Sequence, residues 1–242
     1  MSTPAHVIWH DIECGAYDAD LTLWRELARE AGGPVLDVGA GTGRVALDLA
    51  AAGYKVTALD SDSELLGELA ARARRRGLRV ECVEADARRL EPLGPFALVL
   101  APMQFVQIMG GPSGRAGVLA GVAACMAPDG RFAAAIADLD EAVAAEDTTP
   151  PVPDVGQRGD WIYSSLPLDV RPEPGGVAVE WLRQIVSPAG TLTEERHTQM
   201  LESLTPQQFE REAAAAGLRA IERHEVDATE AYIGSMVIVC RR

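Results

Sequence analysis

The stretch VLDVGAGTGRVALDL, from Val35 to Leu49, decides the fold of this chain. Aliphatic residues lead into it, three glycines follow with the spacing G-x-G-x-G, and an apolar pattern of helical period leads out. This order predicts a buried strand, a sharp turn and a helix, the opening unit of an α/β fold. A glycine-rich turn brings the backbone close to a ligand, so the residues around it indicate which ligand binds.

Short aliphatic runs alternate with helical patterns on both sides of this turn. We predict helix 18–31, strand 34–38, helix 43–52, strand 54–59, helix 62–76, strand 79–83, strand 96–100, helix 113–127 and strand 130–136. Continuous aliphatic strands separated by helices are typical of a parallel sheet that is covered on both faces. Right-handed crossovers then give a doubly wound, Rossmann-like sheet.

The pattern changes after residue 137. A Pro/Gly-rich loop leads to three strand-like runs, 161–171, 176–187 and 191–203, which predict an inserted three-stranded antiparallel meander. Helix 205–217 and strands 218–226 and 234–240 follow. We therefore divide the chain into a leader and helix that cover the site (1–33), a Rossmann-like binding core (34–136), an insertion (137–204) and a C-terminal helix and strand pair that complete the core (205–242).

Composition narrows the choice of partners. The net charge is −14, from 22 basic and 36 acidic residues, and such a surface repels phosphate backbones, which argues against a nucleic-acid partner. The basic run RARRRGLR, residues 72–79, is a local exception at a predicted helix end. Cations suit the helix dipole there, so a solvated helix end is favoured, with a phosphate site as the alternative.

The cysteines and the apolar runs bear on location. Cys14, Cys82, Cys125 and Cys240 lie far apart, and we expect Cys82 and Cys240, which lie in strand-like runs, to be buried thiols. This usage is typical of a reducing compartment and predicts a cytoplasmic protein. The N-terminus lacks the pattern of a signal peptide, and no apolar run is long enough to cross a membrane, so no membrane partner is expected.

Charge and spacing separate the candidate ligands of the glycine turn. A dinucleotide fingerprint is G-x-G-x-x-G with its third glycine inside the helix, whereas Gly43 precedes the helix here. The same rim is predicted to contain four carboxylates, those of Asp37, Asp60, Asp62 and Asp86. A pyrophosphate in contact with such a carboxylate would be repelled by on the order of several kcal/mol. S-adenosylmethionine carries a sulfonium and an ammonium against one carboxylate, so it suits an acidic rim, and loop amides could receive its carboxylate. A turn without ligand and an NAD-binding turn are the alternatives.

The stretch VLDVGAGTGRVALDLAAAGYKVTALDSD closely resembles the first motif of class I S-adenosylmethionine-dependent methyltransferases. The runs ECVEADARRL and FALVLAP resemble the next two motifs, and YDADLTLWRELAREAGGPVLD resembles a subgroup of small bacterial small-molecule methyltransferases. The resemblance covers about residues 12–136. It implies a seven-stranded methyltransferase sheet whose last strand is antiparallel.

The resemblance also implies roles on the rim. It places the following residues at the cofactor: Asp37 near the methionine amino group, Gly39, Ala40 and Gly41 at the methionyl part, Asp60 on the ribose hydroxyls, Ser61 or Asp62 as a helix cap near the adenine, Asp86 and Ala87 at the adenine amino edge, Ala101 and Pro102 closing the methionyl side, and Tyr17 as a lid. A carboxylate with two acceptor oxygens can satisfy both hydroxyls of a ribose, which supports the role of Asp60.

The acceptor side is less specified. Methyl transfer from a sulfonium is an in-line displacement, so a catalytic base is optional. The catalytic candidates are Gln104, His197 and Tyr17. Gln104 could orient an acceptor, and so could Gln107, while His197 could act as a general base. Their alternatives are core packing or a solvent-facing role, and the same holds for an apolar wall of Met103, Phe105 and Met109. No metal-ligand spacing is present, so no metal is expected.

The insertion could contact the acceptor or another subunit. Its candidate residues are Tyr163, Glu180, Trp181 and Arg183, and the chain is expected to be a monomer or a homodimer through the insertion strands. Together these features predict transfer of a methyl group from S-adenosylmethionine to a nitrogen or oxygen of a small molecule. A protein or RNA methyltransferase and a non-catalytic S-adenosylmethionine-binding subunit are the alternatives.

Overall fold

The computed structural model describes residues 3–139, 152–229 and 232–242. The chain divides into two compact units. The core unit comprises Asp18–Asp138 and Leu204–Arg242, and the insertion unit comprises Met1–Tyr17 and Leu139–Ser203. Residues 146–151 of the predicted Pro/Gly-rich loop lie outside the described residues.

A seven-stranded sheet forms the centre of the core unit. Its strands are β1 (Val35–Val38), β2 (Val56–Asp60), β3 (Val80–Glu84), β4 (Phe96–Ala101), β5 (Met126–Ala137), β10 (Arg219–Val226) and β11 (Ser235–Arg241). Their order is β3-β2-β1-β4-β5-β11-β10, and β11 pairs antiparallel with both neighbours while β1 to β5 are parallel. This confirms the predicted doubly wound sheet with its last strand antiparallel. The central strands are aliphatic and buried because helices cover both faces.

Five helices belong to the core unit as the structure describes it. They are α2 (Leu21–Ala31), α3 (Arg44–Ala51), α4 (Ser63–Arg75), α5 (Gly111–Cys125) and α6 (Pro206–Ala215). Their ends follow local chemistry: Gly32 ends α2 in the left-handed region, and Thr205 and Gln208 form a capping box at the start of α6. None of the described helices is long and apolar enough to pass through a membrane.

The position of a strand in the sheet decides how deeply its cysteine is buried. Cys240 on β11 is fully buried, as predicted, and burial raises the pKa of its thiol to about 12. The prediction for Cys82 was wrong, because β3 is the edge strand and leaves this side chain partly exposed.

The insertion unit contains a four-stranded antiparallel sheet rather than the predicted three-stranded meander. Its strands, in the order β6-β7-β8-β9, are β6 (Asp154–Arg158), β7 (Trp161–Glu173), β8 (Gly176–Val186) and β9 (Leu192–Glu202). The three predicted runs are β7, β8 and β9. The additional strand β6 lies in the Pro/Gly-rich stretch, and its Gly156 pairs with Tyr163 while Ile12 covers the space that a side chain would fill. Glycine there permits close packing, so it did not mark a loop.

The leader is helical, which the sequence did not indicate. Helix α1 (Ala5–Cys14) buries Val7, Ile8 and Trp9 and contacts β6 and β7 within the insertion unit. Only three consecutive buried residues mark it, and they form no helical stripe in the sequence. Its position is set by partners more than a hundred residues away in sequence.

Candidate active site

The glycine turn is held to the end of β2 by its own backbone. The amides of Gly39 and Ala40 both donate to the carbonyl of Leu59, at 2.8 and 3.0 Å, and the amide of Gly41 donates to Oδ2 of Asp60 at 2.8 Å. All three glycines of the turn have positive φ values, which glycine adopts without strain. These three amides are therefore used inside the turn, and the role of loop amides in receiving the cofactor's carboxylate stays a prediction.

The ring of Phe105 lies directly against Gly39. A Cβ atom placed on Gly39 would lie 2.3 Å from Cδ2 of Phe105, closer than any packed side chain permits. Phe105 belongs to a short 3-10 turn, Phe105–Ile108, that follows β4. The sequence suggested Phe105 as an apolar wall or core residue, and this contact places it beside the turn.

Asp37 is buried beneath the turn with one oxygen left over. Its side chain is 1% exposed, and its Oδ1 has no hydrogen-bond partner. Burial raises the pKa of Asp37 to about 7, although the positive charge of Arg44 and a backbone hydrogen bond from Ala46 lower it. A carboxyl group with this pKa carries only part of a negative charge near neutral pH, so it contributes less to an acidic rim than expected.

Arg44 is held next to Asp37 by a second buried carboxylate. Its guanidinium binds Asp20 through two bonds of 2.5 and 2.8 Å, and the two side chains are 11% and 2% exposed. Asp20 precedes α2 and Arg44 begins α3, so this ion pair joins the two helices at the turn. The sequence does not indicate this pair, because its members are 24 residues apart.

Asp60 stands at the end of β2 with both carboxylate oxygens fixed. Oδ2 accepts the amide of Gly41, and Oδ1 accepts the amide of Asp62 at 3.0 Å. Each carboxylate oxygen can accept a further hydrogen bond, so the group remains able to bind two more donors. Of the two predicted caps, Asp62 accepts the amides of Glu64 and Leu65 and caps α4, while Ser61 is exposed beside it.

Asp86 follows β3 and is paired with Arg88, a partner that was not predicted. Arg88 donates to it through its backbone amide and its guanidinium, at 2.8 to 3.2 Å, and this bonding lowers the pKa of Asp86. Ala87, in the next position, is buried. Gly117 on α5 lets the helix approach closely, because a Cβ there would lie 2.3 Å from the carbonyl oxygen of Arg88. Helix α5 thus fixes the backbone of this segment.

Strand β4 ends at Ala101 and the loop after it begins with Pro102, and both residues are buried. Met103 follows with a φ of 54°, which is unusual for a residue with a side chain. Gln104 is half-buried and makes no capping bond to the 3-10 turn that follows it. Gln107 is fully buried, and its amide both donates to and accepts from the backbone of Ala137. Gln107 therefore anchors the loop, and the suggestion that it orients the acceptor was wrong.

The insertion unit contains the remaining candidates. His197 lies opposite Trp181 in the sheet, with ring centroids 5.9 Å apart, and burial and the charge of Arg183 lower its pKa. Arg183 binds Glu13 of α1 through two bonds of 2.7 Å, and its guanidinium lies over the ring of Trp9.

Helix α1 therefore packs against the sheet of the insertion unit through specific side-chain contacts. Ser165 donates to Glu13 at 2.7 Å, and Tyr163 meets Trp9 edge to face at 5.5 Å. These contacts give Tyr163 and Arg183 structural partners, and the sequence did not indicate Trp9 or Glu13. Glu180 takes part in ion pairs with Arg171 and Arg196.

Tyr17 and the other histidines lie in the leader segment and on β10. Tyr17 is buried at the end of the leader segment of the insertion unit, so its role as a lid stays a prediction. His6 and His10 lie on α1, and His224 lies on β10 beside Glu222.

The sequence around the glycine turn is similar to a known protein family. Residues 35–130 match a family described as methyltransferase domain. No curated protein matches the sequence of this chain.

Solved structures share the fold over the whole chain. A S-adenosylmethionine-dependent methyltransferase from Clostridium acetobutylicum is 14% identical with a TM-score of 0.73, covering 98% of this chain and 96% of that one. CalS10, an amino pentose methyltransferase from Micromonospora echinaspora, is 17% identical with a TM-score of 0.72, covering 100% and 98%. KedS8, a sugar N-methyltransferase from Streptoalloteichus, is 15% identical with a TM-score of 0.75, covering 100% and 95%.

Proposed function

We propose that this chain, which is a class I S-adenosylmethionine-dependent methyltransferase, methylates an amine nitrogen of a small molecule. The main support for the cofactor site is the geometry of Asp60. Its two carboxylate oxygens accept hydrogen bonds from the backbone amides of Gly41 and Asp62, which fix the orientation of the carboxylate. The choice of a small-molecule amine goes further and rests on the loop after β4 and on the names of the structural neighbours.

The residues at the rim fit the cofactor. Asp60 keeps acceptor capacity for the two ribose hydroxyls, and the buried Oδ1 of Asp37 has no partner within the described chain, which suits a hydrogen-bond donor such as an ammonium. Ser61, Asp86 and Ala87 border the place proposed for the adenosine. When bound, S-adenosylmethionine supplies a methyl group activated by its sulfonium.

On the methionyl side, Gly39, Ala40 and Gly41 allow close approach, while Ala101 and Pro102 form a buried, uncharged border. These roles follow the family resemblance.

The loop after β4 favours an amine over a hydroxyl. Residues 102–110 contain amides and apolar side chains but no ionisable group. Such a loop can orient a nucleophile and exclude water, but it has no side chain that removes a proton. An amine that has lost its proton to water already carries a free electron pair, whereas a hydroxyl usually needs a base. Orientation alone can lower the barrier by roughly 7–11 kcal/mol.

Three residues have proposed roles in transfer. Gln104 would accept an N–H of the acceptor and aim its electron pair, and Tyr17 would cover the reacting groups. His197 would serve as general base only for a hydroxyl acceptor, because an amine needs no base. Its lowered pKa favours the neutral imidazole, which is the form that accepts a proton. An amine acceptor leaves His197 without a catalytic role.

The neighbours support a small-molecule substrate. Two of them are by name an amino pentose methyltransferase and a sugar N-methyltransferase, and both are matched over nearly their entire length. A protein or RNA substrate is not favoured, given the net charge of −14. A cytoplasmic location is part of the proposal, supported by four cysteines that form no disulfide.

Calorimetry tests the cofactor site. We expect Asp60→Ala to abolish binding of S-adenosylmethionine while Asp129→Ala, which removes an exposed carboxylate, leaves binding unchanged. Tight binding by folded Asp60→Ala protein would refute the assignment, as would tighter binding of NAD by the parent.

Paired acceptors test the atom that is methylated. Release of S-adenosylhomocysteine is measured with amino sugars and with the same sugars carrying a hydroxyl in place of the amine. We expect turnover with the amines and retention of activity in His197→Gln. Turnover limited to hydroxyl acceptors, with loss of activity in His197→Gln, would overturn the choice of nitrogen and leave the cofactor site intact.

The oligomeric state is a separate prediction. The insertion sheet has a row of apolar residues, Ile162, Val186 and Leu192, paired across three strands, and Ile162 and Leu192 are exposed. We propose that this row supports a homodimer, the second of the two predicted states. Light scattering of the parent and of Ile162→Asp checks it, since a monomeric parent would contradict the proposal.

A further inference from the structure

A cavity opens at the end of the core sheet that is opposite the cofactor rim. It has a volume of about 710 Å³ and lies where β2 and β3 begin and α4 ends. Lys55 directly precedes β2, Arg79 directly precedes β3, and Arg74 lies in the last turn of α4. We name this cavity the basic groove. Its volume is within the roughly 300–1,000 Å³ of small-molecule pockets.

The three cations of the basic groove have no carboxylate partner in the described parts of the chain. Elsewhere most described arginines form ion pairs, and Arg72 and Arg75 on α4 itself both bind Glu68. Arg74, in the same stretch, is left facing the groove. The net charge of the chain is −14, so three unpaired cations around one cavity give this place a charge opposite in sign to that of the protein as a whole.

The end of α4 does not account for these charges. Cations near a helix terminus can satisfy its last carbonyls, but the backbone already does so here. The amide of Arg76 donates to the carbonyls of Arg72 and Ala73, and the amides of Gly77 and Leu78 donate to those of Arg74 and Ala73. The helix end is closed without its side chains, so the cations remain available to an external anion.

The walls between the cations are apolar, and Tyr54 adds a half-buried aromatic ring. One acidic side chain, Glu81, also lines the groove, and it accepts a hydrogen bond from Thr57 at 3.3 Å. The lining therefore carries a surplus of two positive charges. Two guanidiniums and an ammonium match the several oxygens of a phosphate better than a single carboxylate.

We propose that the basic groove binds an organic phosphate, with the phosphate on Lys55, Arg74 and Arg79 and an aromatic body against Tyr54. This site is distinct from the cofactor rim, because Lys55 and Asp60 lie at opposite ends of β2. A nucleoside diphosphate is the class of ligand that combines these parts. The inference does not depend on the reaction that the enzyme catalyses.

Lys55 offers a direct probe, because it is the only lysine of the chain. Reductive methylation with ¹³C-formaldehyde labels Lys55 and the N-terminal amine and keeps their charge. The Lys55→Arg variant identifies the lysine signal by removing it. Uridine diphosphate is then titrated with S-adenosylhomocysteine in excess, so that the cofactor site is filled and cannot bind the probe.

We expect a saturable shift of the Lys55 signal and weaker binding in the double variant Arg74→Glu/Arg79→Glu. The loss should reach about tenfold, because one exposed ion pair is worth up to about fivefold in affinity. Arg76→Glu is the matched control, since Arg76 is exposed in the same turn but does not line the groove. Added salt should weaken binding to the parent.

Pyrophosphate separates the two parts of the ligand, and we expect it to bind more weakly than uridine diphosphate. Equal binding would refute the role of Tyr54 and the apolar walls. No saturable shift, or an equal loss in Arg76→Glu, would overturn the site. All variants alter exposed side chains, and their unfolding temperatures and affinity for S-adenosylhomocysteine confirm an intact fold.

Discussion

Asp37 places a carboxyl group in the protein interior directly below the glycine turn, where burial raises its pKa to about 7. The substitution Asp37→Asn keeps the size and shape of the side chain but removes the ability to ionise. Since the folded state holds the proton of Asp37 far more tightly than the unfolded state, the stability of the protein should depend on pH in a way that the variant lacks.

The sign and size follow from the two pKa values. The ordinary value of 3.8 applies to the unfolded chain and about 7 to the folded one, a difference of about three units. At 1.36 kcal/mol per unit, the proton stabilises the folded state by about 4 kcal/mol. This contribution is complete below the unfolded pKa and is lost as the pH rises through about 7. About 2.5 kcal/mol of it disappears between about pH 5 and pH 8.

Urea unfolding of the cofactor-free protein measures this effect. The free energy of unfolding of Asp37→Asn minus that of the parent should grow by about 2.5 kcal/mol from about pH 5 to pH 8. Asp129→Asn removes an exposed carboxylate and serves as the control, with a difference that should stay nearly constant. A constant difference for Asp37→Asn as well would show that this carboxyl group is charged at both pH values and that its burial has no such consequence.

Two further predictions concern residues at the glycine turn and in the loop after β4, and a third concerns a buried ion pair between α5 and α6. Gly39→Ala should abolish cofactor binding, because the new Cβ atom collides with the ring of Phe105. Adding Phe105→Ala should restore binding only in part, because the left-handed backbone at residue 39 still costs about 1–2 kcal/mol. Calorimetry on both variants checks this. Gln107→Leu should lower stability by about 1–3 kcal/mol and reduce kcat more than cofactor affinity, since the loop after β4 loses its anchor; equal losses in both would contradict this. Arg115→Ala should cost about 3 kcal/mol in urea unfolding, because Arg115 is buried against Glu212, and Arg115→Met/Glu212→Met should recover part of the loss.

The core sheet could be predicted because its determinants are local. The strands β1, β2 and β4 are short, mainly apolar runs bounded by glycine, proline or charged residues, so strand type and order of elements follow directly. The glycine turn and the carboxylate of Asp60 belong to the same local signal. Helix α1 lacks such a signal, because its contacts are with the distant strands β6 and β7. Strand β6 pairs with the neighbouring β7, but its glycine and the prolines before it resemble a loop in the sequence.

Most partners that the sequence did not reveal act over long distances along the chain, although Arg88 lies only two residues from Asp86. Arg44 meets Asp20 across 24 residues, and Gln107 meets the backbone of Ala137 across 30. A single sequence gives the residue types but not these pairings. Gln107 shows the consequence, since an amide that was assigned to the acceptor is fully used by the core.

The acidic rim that favoured a sulfonium in the sequence is weaker in the structure than its four carboxylates suggest. Asp37 is partly protonated near neutral pH, Asp86 is paired with Arg88, and Asp62 is used as a helix cap. Asp60 keeps acceptor capacity on both oxygens, and the buried Oδ1 of Asp37 is a further open acceptor. Selection against a dinucleotide therefore depends less on summed charge than on the turn itself, where the amides of Gly39, Ala40 and Gly41 are not free for a phosphate. The same turn amides that would cradle a pyrophosphate in a dinucleotide-binding protein are here already bonded to Leu59 and Asp60.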